Sequence, residues 1–166
     1  MRKNSKALFI ANAAIIAALY VVLTLIANAL GLANYAIQVR FSEALTILPY
    51  FTPAAIPGLF VGCILSNILT GCLPLDIIFG SFATLLGAIF TYKLRKWKFL
   101  SPLPPIIFNI LFVPPVLAFV YQFEGTLLYF IITVGIGEIL SCGVLGIMLL
   151  LILEKYRNIL FPIHTK

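Results

Sequence analysis

Charge is absent from long stretches of this chain, and the gaps between charges set the predicted elements. Residues 7–33 carry none. That length crosses a hydrocarbon core of roughly 30 Å with some tilt. Ala27-Asn28-Ala29 resembles a small-residue cleavage site, but the stretch is long for a signal peptide and further spans follow, so it reads as a retained span. Residues 44–75 are also uncharged, too long for one helix and short for two. Pro49, Pro53, Pro57 and Gly58 interrupt them, which predicts a short helix over 44–55 and another over 58–72. Gly71 to Asp76 reads as a turn, followed by a span over 77–92. The next span, 101–123, begins with Pro102, Pro104 and Pro105, and Pro114-Pro115 is expected to kink or break it. Glu124-Gly125 turns the chain into a last span over 126–154.

Composition makes the membrane reading firm. Of 166 residues, 63% are hydrophobic and 10% charged, with a mean hydropathy of +1.16. A soluble domain carries roughly 25% charged residues. So few charges cannot cover a globule's surface, which excludes a soluble enzyme. The net charge of +6 sits mostly in three clusters. These are Arg2, Lys3 and Lys6, then Lys93, Arg95, Lys96 and Lys98, then Lys155, Arg157 and Lys166. Basic residues beside apolar spans mark cytoplasmic loops rather than nucleic-acid binding. The expectation is an all-α membrane protein with one integral domain over 1–166, six transmembrane helices and both termini cytoplasmic. With that topology the three clusters share one side. Trp97, Tyr92, Tyr156 and Phe161 form an inner aromatic belt, and Tyr121 and Tyr129 an outer one. Alternating ten-residue segments are absent, which argues against a β-barrel.

Candidate chemistry is sparse. Glu138 lies about twelve residues into the last span, near the bilayer midplane at 1.5 Å rise per residue. An ionisable group there is costly and needs a partner or a polar cavity. Gly135, Cys142 and Gly146 share its helix face and are small enough to border a pocket. The alternative is a protonated, internally hydrogen-bonded structural glutamate. Asn67 and Asn109 are intramembrane amides, either ligand contacts or helix–helix hydrogen bonds. Glu43, Asp76 and Glu124 map to external span ends. Arg40 and Glu43 either pair with each other or form a lip over an external pocket.

Ala7, Ala11, Ala14 and Ala18 make a stripe of small residues along the first helix, suited to close helix packing inside the protein or against another. Cys63, Cys72 and Cys142 lack metal-ligand spacing, and His164 is the lone histidine, so no metal site is expected. Neither a nucleophile motif nor a phosphate-binding loop occurs, so no catalytic residue is assigned. The residues alone indicate a small membrane binding protein with a polar pocket opening outward.

The stretch Gln38-Val-Arg40-Phe-Ser42-Glu43-Ala-Leu-Thr-Ile-Leu-Pro49-Tyr-Phe-Thr-Pro53 is distinctive, as are Ser66-Asn67-Ile-Leu and Asp76-Ile-Ile-Phe-Gly80-Ser81-Phe-Ala-Thr84-Leu-Leu. Together they resemble the QueT family, the substrate-binding (S) components of energy-coupling-factor (ECF) transporters for queuosine precursors. The resemblance is strongest from residue 38 to 92. It implies a multi-pass protein of the bacterial plasma membrane, surrounded by lipid, that captures queuine or another 7-deazaguanine base from outside. It also implies partners: the coupling protein EcfT and two ATPases, which use the ATP, while this chain binds no cofactor. S components commonly dock through an Ala-x-x-x-Ala motif in the first helix. Ala14-Ile-Ile-Ala-Ala18 fits, Ala7 and Ala11 extend it, and Ala13 with Ala17 make a second, opposed match.

With such a ligand, Glu138 could accept N1–H and the exocyclic amine of the base. Asn67 or Asn109 could read its carbonyl or a ring nitrogen. Glu43 or Asp76 could meet a cationic aminomethyl group, and Tyr35, Phe41 or Phe79 could stack on the ring. The rivals are an S component for another base or vitamin, a small membrane enzyme or scaffold outside the ECF system, and a self-contained channel or exchanger.

Overall fold

In the computed structural model, residues 2–32, 39–122 and 124–161 are described, without the side chains of residues 2–5 and 158. Tyr35, His164 and Lys166 lie outside the described residues. The described residues form helices joined by turns, with no strand among them.

Helix α1 spans Arg2–Ala29. Gly31 closes it at φ +74°, with Leu32 N–H donating to the Ala27 carbonyl at 3.0 Å. This is a Schellman ending, in which the left-handed residue is nearly always glycine. Gly71 closes α2, Ala55–Leu69, the same way at φ +76°, Cys72 N–H reaching the Asn67 carbonyl at 2.9 Å. Helix α3, Pro74–Lys93, starts on a proline whose missing N–H is not needed in a first turn. Helix α4 covers Leu103–Pro115, α5 Leu127–Glu138 and α6 Gly146–Lys155, with a short α7 at Arg157–Leu160. Thr126 caps α5, accepting the Tyr129 N–H at 3.2 Å.

Among the described residues, four helical segments are long and apolar enough to cross a membrane: Lys6–Ala29, Pro74–Lys93, Lys98–Val120 and Leu127–Lys155. The sequence-based spans differ from this in instructive ways. The expected helix over 44–55 is a 3-10 helix at Phe41–Tyr50. At about 2.0 Å per residue it reaches only some 20 Å, short of a full crossing. The following helix begins at Ala55 rather than 58, because Pro57 sits in its first turn, where proline is tolerated. Pro114-Pro115 does not break the fifth segment. The prolines withhold backbone donors, and the helix continues as a π turn through Val120. A second π turn, Ile139–Leu145, joins α5 to α6 directly after Glu138.

Small residues decide which helices touch. A Cβ on Gly58 would stand 2.7 Å from the Ala13 carbonyl oxygen, and one on Gly62 2.8 Å from Tyr20 Cβ. The pair Gly58 and Gly62 therefore seats the Ala13–Ala17 face of α1, with the two helices running parallel. Gly87 of α3 lies as tightly on Pro105 of α4, where a Cβ would come within 2.9 Å of the proline Cα. Apolar side chains confer no net gain against lipid tails, so close packing of this kind carries much of the association. One buried cluster joins Ile16, Tyr20, Leu45, Leu48, Ala55, Leu59, Cys63 and Ala88, tying α1, the 3-10 helix, α2 and α3 together. A smaller one, Leu117, Phe130 and Val134, closes the opposite end.

Lys98 and Glu154 form an ion pair between the turn before α4 and the end of α6. Arg157 lies over the Tyr50 ring, 6.0 Å from its centroid, at this same end. The basic clusters at 93–98 and 155–157 thus share one end of the bundle. The parallel register of α1 and α2 brings Lys6 to that end too.

Candidate functional site

The 3-10 helix positions the site. Its first residues are held from two directions. On one side, Thr24 Oγ1 of α1 donates to Ser42 Oγ at 2.8 Å, and the Tyr20 hydroxyl donates to Glu43 Oε1. On the other, the Arg40 backbone N–H donates to Ser141 Oγ at 3.2 Å, within the π turn. Thr46 Oγ1 caps the Glu43 carbonyl at 2.6 Å and also points at Cys142 Sγ, 3.4 Å away. The chain is thereby wedged between α1 and the π turn, and Glu43 is driven into the interior.

There it meets Glu138. Cys142 Sγ donates to Glu138 Oε2 at 3.2 Å and lies 3.9 Å from Glu43 Oε2. Asn109 Nδ2 donates to Glu43 Oε2 at 3.4 Å. Both glutamates are buried, Glu138 with 9% of its surface exposed. Beside them is a cavity of about 20 Å³, enough for about one water molecule. Its walls are Arg40, Glu43, Asp76, Gly80, Thr84, Asn109, Val113, Val134 and Glu138. Charged groups facing the cavity are three carboxyls and one guanidinium, an excess of negative charge whenever all are ionised. Such a site favours a cationic group, a proton, or donors that satisfy several carboxylate lone pairs.

Each anticipated residue has a definite place. Glu138, Glu43, Asp76, Arg40 and Asn109 all reach the cavity. Glu138 is not the isolated acid that the sequence suggests, because Glu43 sits beside it instead of at an external span end. Arg40 and Glu43 do not form an ion pair; among the described residues only Lys98 and Glu154 do. They face the cavity together because the 3-10 turn projects them around one space. Asn67 is buried behind the wall, donating to Cys63 Sγ at 3.7 Å, and would lie 3.3 Å from a Cβ on Gly80. Phe79 is 40% exposed and stacks on Phe112, with centroids 6.3 Å apart, so it faces away from the cavity. Phe41, half-buried at the start of the 3-10 helix, is not a wall residue. Tyr35 lies outside the described residues.

Other residues escaped sequence reasoning. Tyr20 reads as one more aromatic in an apolar helix, yet it is buried and bonded to Glu43. Thr84, which donates to the Gly80 carbonyl at 3.1 Å and to Cys63 Sγ at 3.4 Å, carries no sequence signal beyond its lying eight positions after Asp76. Cys142 reads as a packing residue but links the two glutamates.

At the end of the cavity away from the basic clusters, the Tyr121 hydroxyl donates to Asp76 Oδ2 at 2.9 Å and accepts the Leu73 N–H at 3.1 Å. Partial burial pushes this phenol above its usual pKa; the Leu73 hydrogen bond opposes that and the Asp76 charge adds to it. The contact fastens the start of α3 to the end of the π turn that follows α4. Among the described residues, Glu43, Glu138 and Cys142 have ligand-type atoms within 4.8 Å of one another, a set whose spacing could also hold a metal ion.

The alanine stripe divides as its helical phase requires. Ala7, Ala11, Ala14 and Ala18 are exposed along one side of α1. Ala17 is buried on the other side, with Ile16, Tyr20, Thr24 and Ala27.

A family model described as QueT transporter matches residues 10–155. The queuosine precursor transporter QueT of Lactococcus lactis subsp. cremoris (strain MG1363) is 37% identical over 83 residues, which is 50% of this chain and 48% of that protein. The chain thus spans about half the length of the relative it matches. No solved structure matches.

Proposed function

Because the chain belongs to the QueT transporter family, a family of transporters and not of enzymes, we propose that it is the substrate-binding component of an ATP-driven ECF importer for a queuosine precursor. It captures queuine or a related 7-deazaguanine base from outside. It then delivers the base inward together with EcfT and two ATPases, which hydrolyse the ATP; this chain itself needs no cofactor. In this reading the chain passes through the bacterial plasma membrane six times, the 3-10 helix forming only part of the second pass, with both termini and the basic end in the cytoplasm.

The observation that carries this reading is the pair of buried glutamates bordering one cavity with Arg40, Asp76 and Asn109. A guanine-like edge presents N1–H and an exocyclic amine side by side, and a carboxylate accepts both. That is the role of Glu138. A base with an aminomethyl arm adds a cation, for which the neighbouring Glu43 or Asp76 supplies the counter-charge. Arg40 or the Asn109 amide serves the ring carbonyl. Tyr121, bonded to Asp76, stands at the entry. A bicyclic base is far larger than the space available, so binding requires the 3-10 segment or the α5–α6 helix to move outward. The exposed alanine stripe of α1 supports a separate role as the docking face for EcfT, since small side chains allow close helix approach.

The test is titration of the purified protein in lipid nanodiscs with 7-aminomethyl-7-deazaguanine, 7-cyano-7-deazaguanine and queuine. The reading expects nanomolar-range binding of at least one, with cationic bases ahead of the neutral cyano base. Tight binding of an unrelated vitamin, with none of these bases bound, contradicts it.

A further inference from the structure

Resting on that reading of the site, we infer that Tyr20 is a positioning residue for the ligand: its hydroxyl aims the Glu43 carboxylate into the cavity from a helix that does not itself line it. The Tyr20 hydroxyl donates to Glu43 Oε1, and Asn109 Nδ2 donates to Glu43 Oε2 at 3.4 Å. One donor on each oxygen fixes the plane of the carboxylate and leaves its remaining lone pairs toward the cavity. Tyr20 is absent from the cavity wall while Glu43 is part of it. Its influence on a ligand must therefore pass through Glu43.

The tyrosine is itself rigidly placed. It is 1% exposed, and α2 approaches so closely that a Cβ on Gly62 would stand 2.8 Å from Tyr20 Cβ. A hydrogen bond to a charged acceptor is shorter and stronger than a neutral one, and low polarity around it adds to its strength. Thr24, one turn further along the same buried face, bonds instead to Ser42 Oγ and to the Tyr20 carbonyl. Because Thr24 helps to seat the 3-10 helix, the matched control is taken elsewhere: Thr91 of α3, a buried hydroxyl that donates to the Ser101 carbonyl at 2.9 Å and does not reach the cavity.

The experiment is a double-mutant cycle on the full chain in nanodiscs, with wild type, Tyr20→Phe, Glu43→Gln and the double variant titrated with 7-aminomethyl-7-deazaguanine. Thr91→Val serves as the control, and thermal unfolding confirms that each variant is folded. The inference expects Tyr20→Phe to weaken binding on the order of tenfold, the worth of a hydrogen bond to a charged group. In the Glu43→Gln background the same change should have almost no effect, and Thr91→Val should bind as wild type does. Coupling of that kind separates action through Glu43 from general loosening of the helix. If wild type binds and the two losses simply add, or if Thr91→Val loses as much as Tyr20→Phe, the inference is overturned and the functional reading survives. If wild type does not bind the base, the functional reading falls and takes the inference with it.

Discussion

Glu43 and Glu138 border one cavity and share one thiol, with Cys142 Sγ 3.2 Å from Glu138 Oε2 and 3.9 Å from Glu43 Oε2. Two carboxylates this close in a low-dielectric interior cannot both be ionised without a counter-charge. Arg40 supplies part of it from the cavity wall without pairing directly. An incoming cation or a set of N–H donors supplies the rest. The arrangement is thus costly when empty and relieved when filled, the property a capture protein needs.

Removing one acid should weaken binding without unfolding the protein. Glu138→Gln keeps the shape and most hydrogen bonds but loses the charge. Binding of 7-aminomethyl-7-deazaguanine should fall by more than tenfold, about 1.4 kcal/mol, while the elution profile and melting temperature hold. Unchanged affinity in calorimetry would remove Glu138 from the site.

Asn109→Leu takes away the amide donor to Glu43 Oε2. A buried acceptor left without its partner costs about 1–3 kcal/mol, so both melting temperature and affinity should drop. A variant as stable and as tight-binding as wild type would show that this amide is idle.

The two sides of α1 should respond oppositely. Gly62→Ala puts a methyl group 2.8 Å from Tyr20 Cβ and 3.0 Å from the Ala17 carbonyl oxygen. Overpacking there should lower stability by about 1–3 kcal/mol. Ala14→Trp with Ala18→Trp, on the exposed side, should leave folding and ligand binding intact but block co-purification with EcfT. A normal complex carrying both tryptophans would show that this face does not dock.

The Lys98–Glu154 ion pair is about one-third exposed on each partner. Solvent screening limits such pairs to roughly 0–1 kcal/mol. Lys98→Met should therefore shift the melting temperature only slightly, and ligand affinity not at all. A large loss in either would assign that contact a greater part than fastening the bundle's basic end.

How much was legible beforehand follows from which forces leave a periodic trace. Uncharged runs and proline positions disclosed the long helices, because hydrocarbon excludes charge over fixed lengths. Glu138 stood out because an acid in an apolar run is anomalous by itself. Glu43 reads as a lip residue or a contact to a cation, but not as a neighbour of Glu138, because it looks like a span-end residue until the 3-10 turn and its anchors at Tyr20, Thr24 and Ser141 draw it inward. Neither π turn could be read, since a single extra residue per turn leaves no pattern. Tyr20 illustrates the same limit: its hydroxyl matters only through a partner brought near by the fold. The alanines show the converse, for two interleaved stripes were visible, but which one faces inward depends on Gly58 and Gly62 of another helix.

The most direct measurement is mass spectrometry of the small molecules released when the protein, purified gently from its native membrane, is denatured. The account predicts a 7-deazaguanine, present near one per chain in wild type and much reduced in Glu138→Gln. A different compound held at that stoichiometry in both would contradict it.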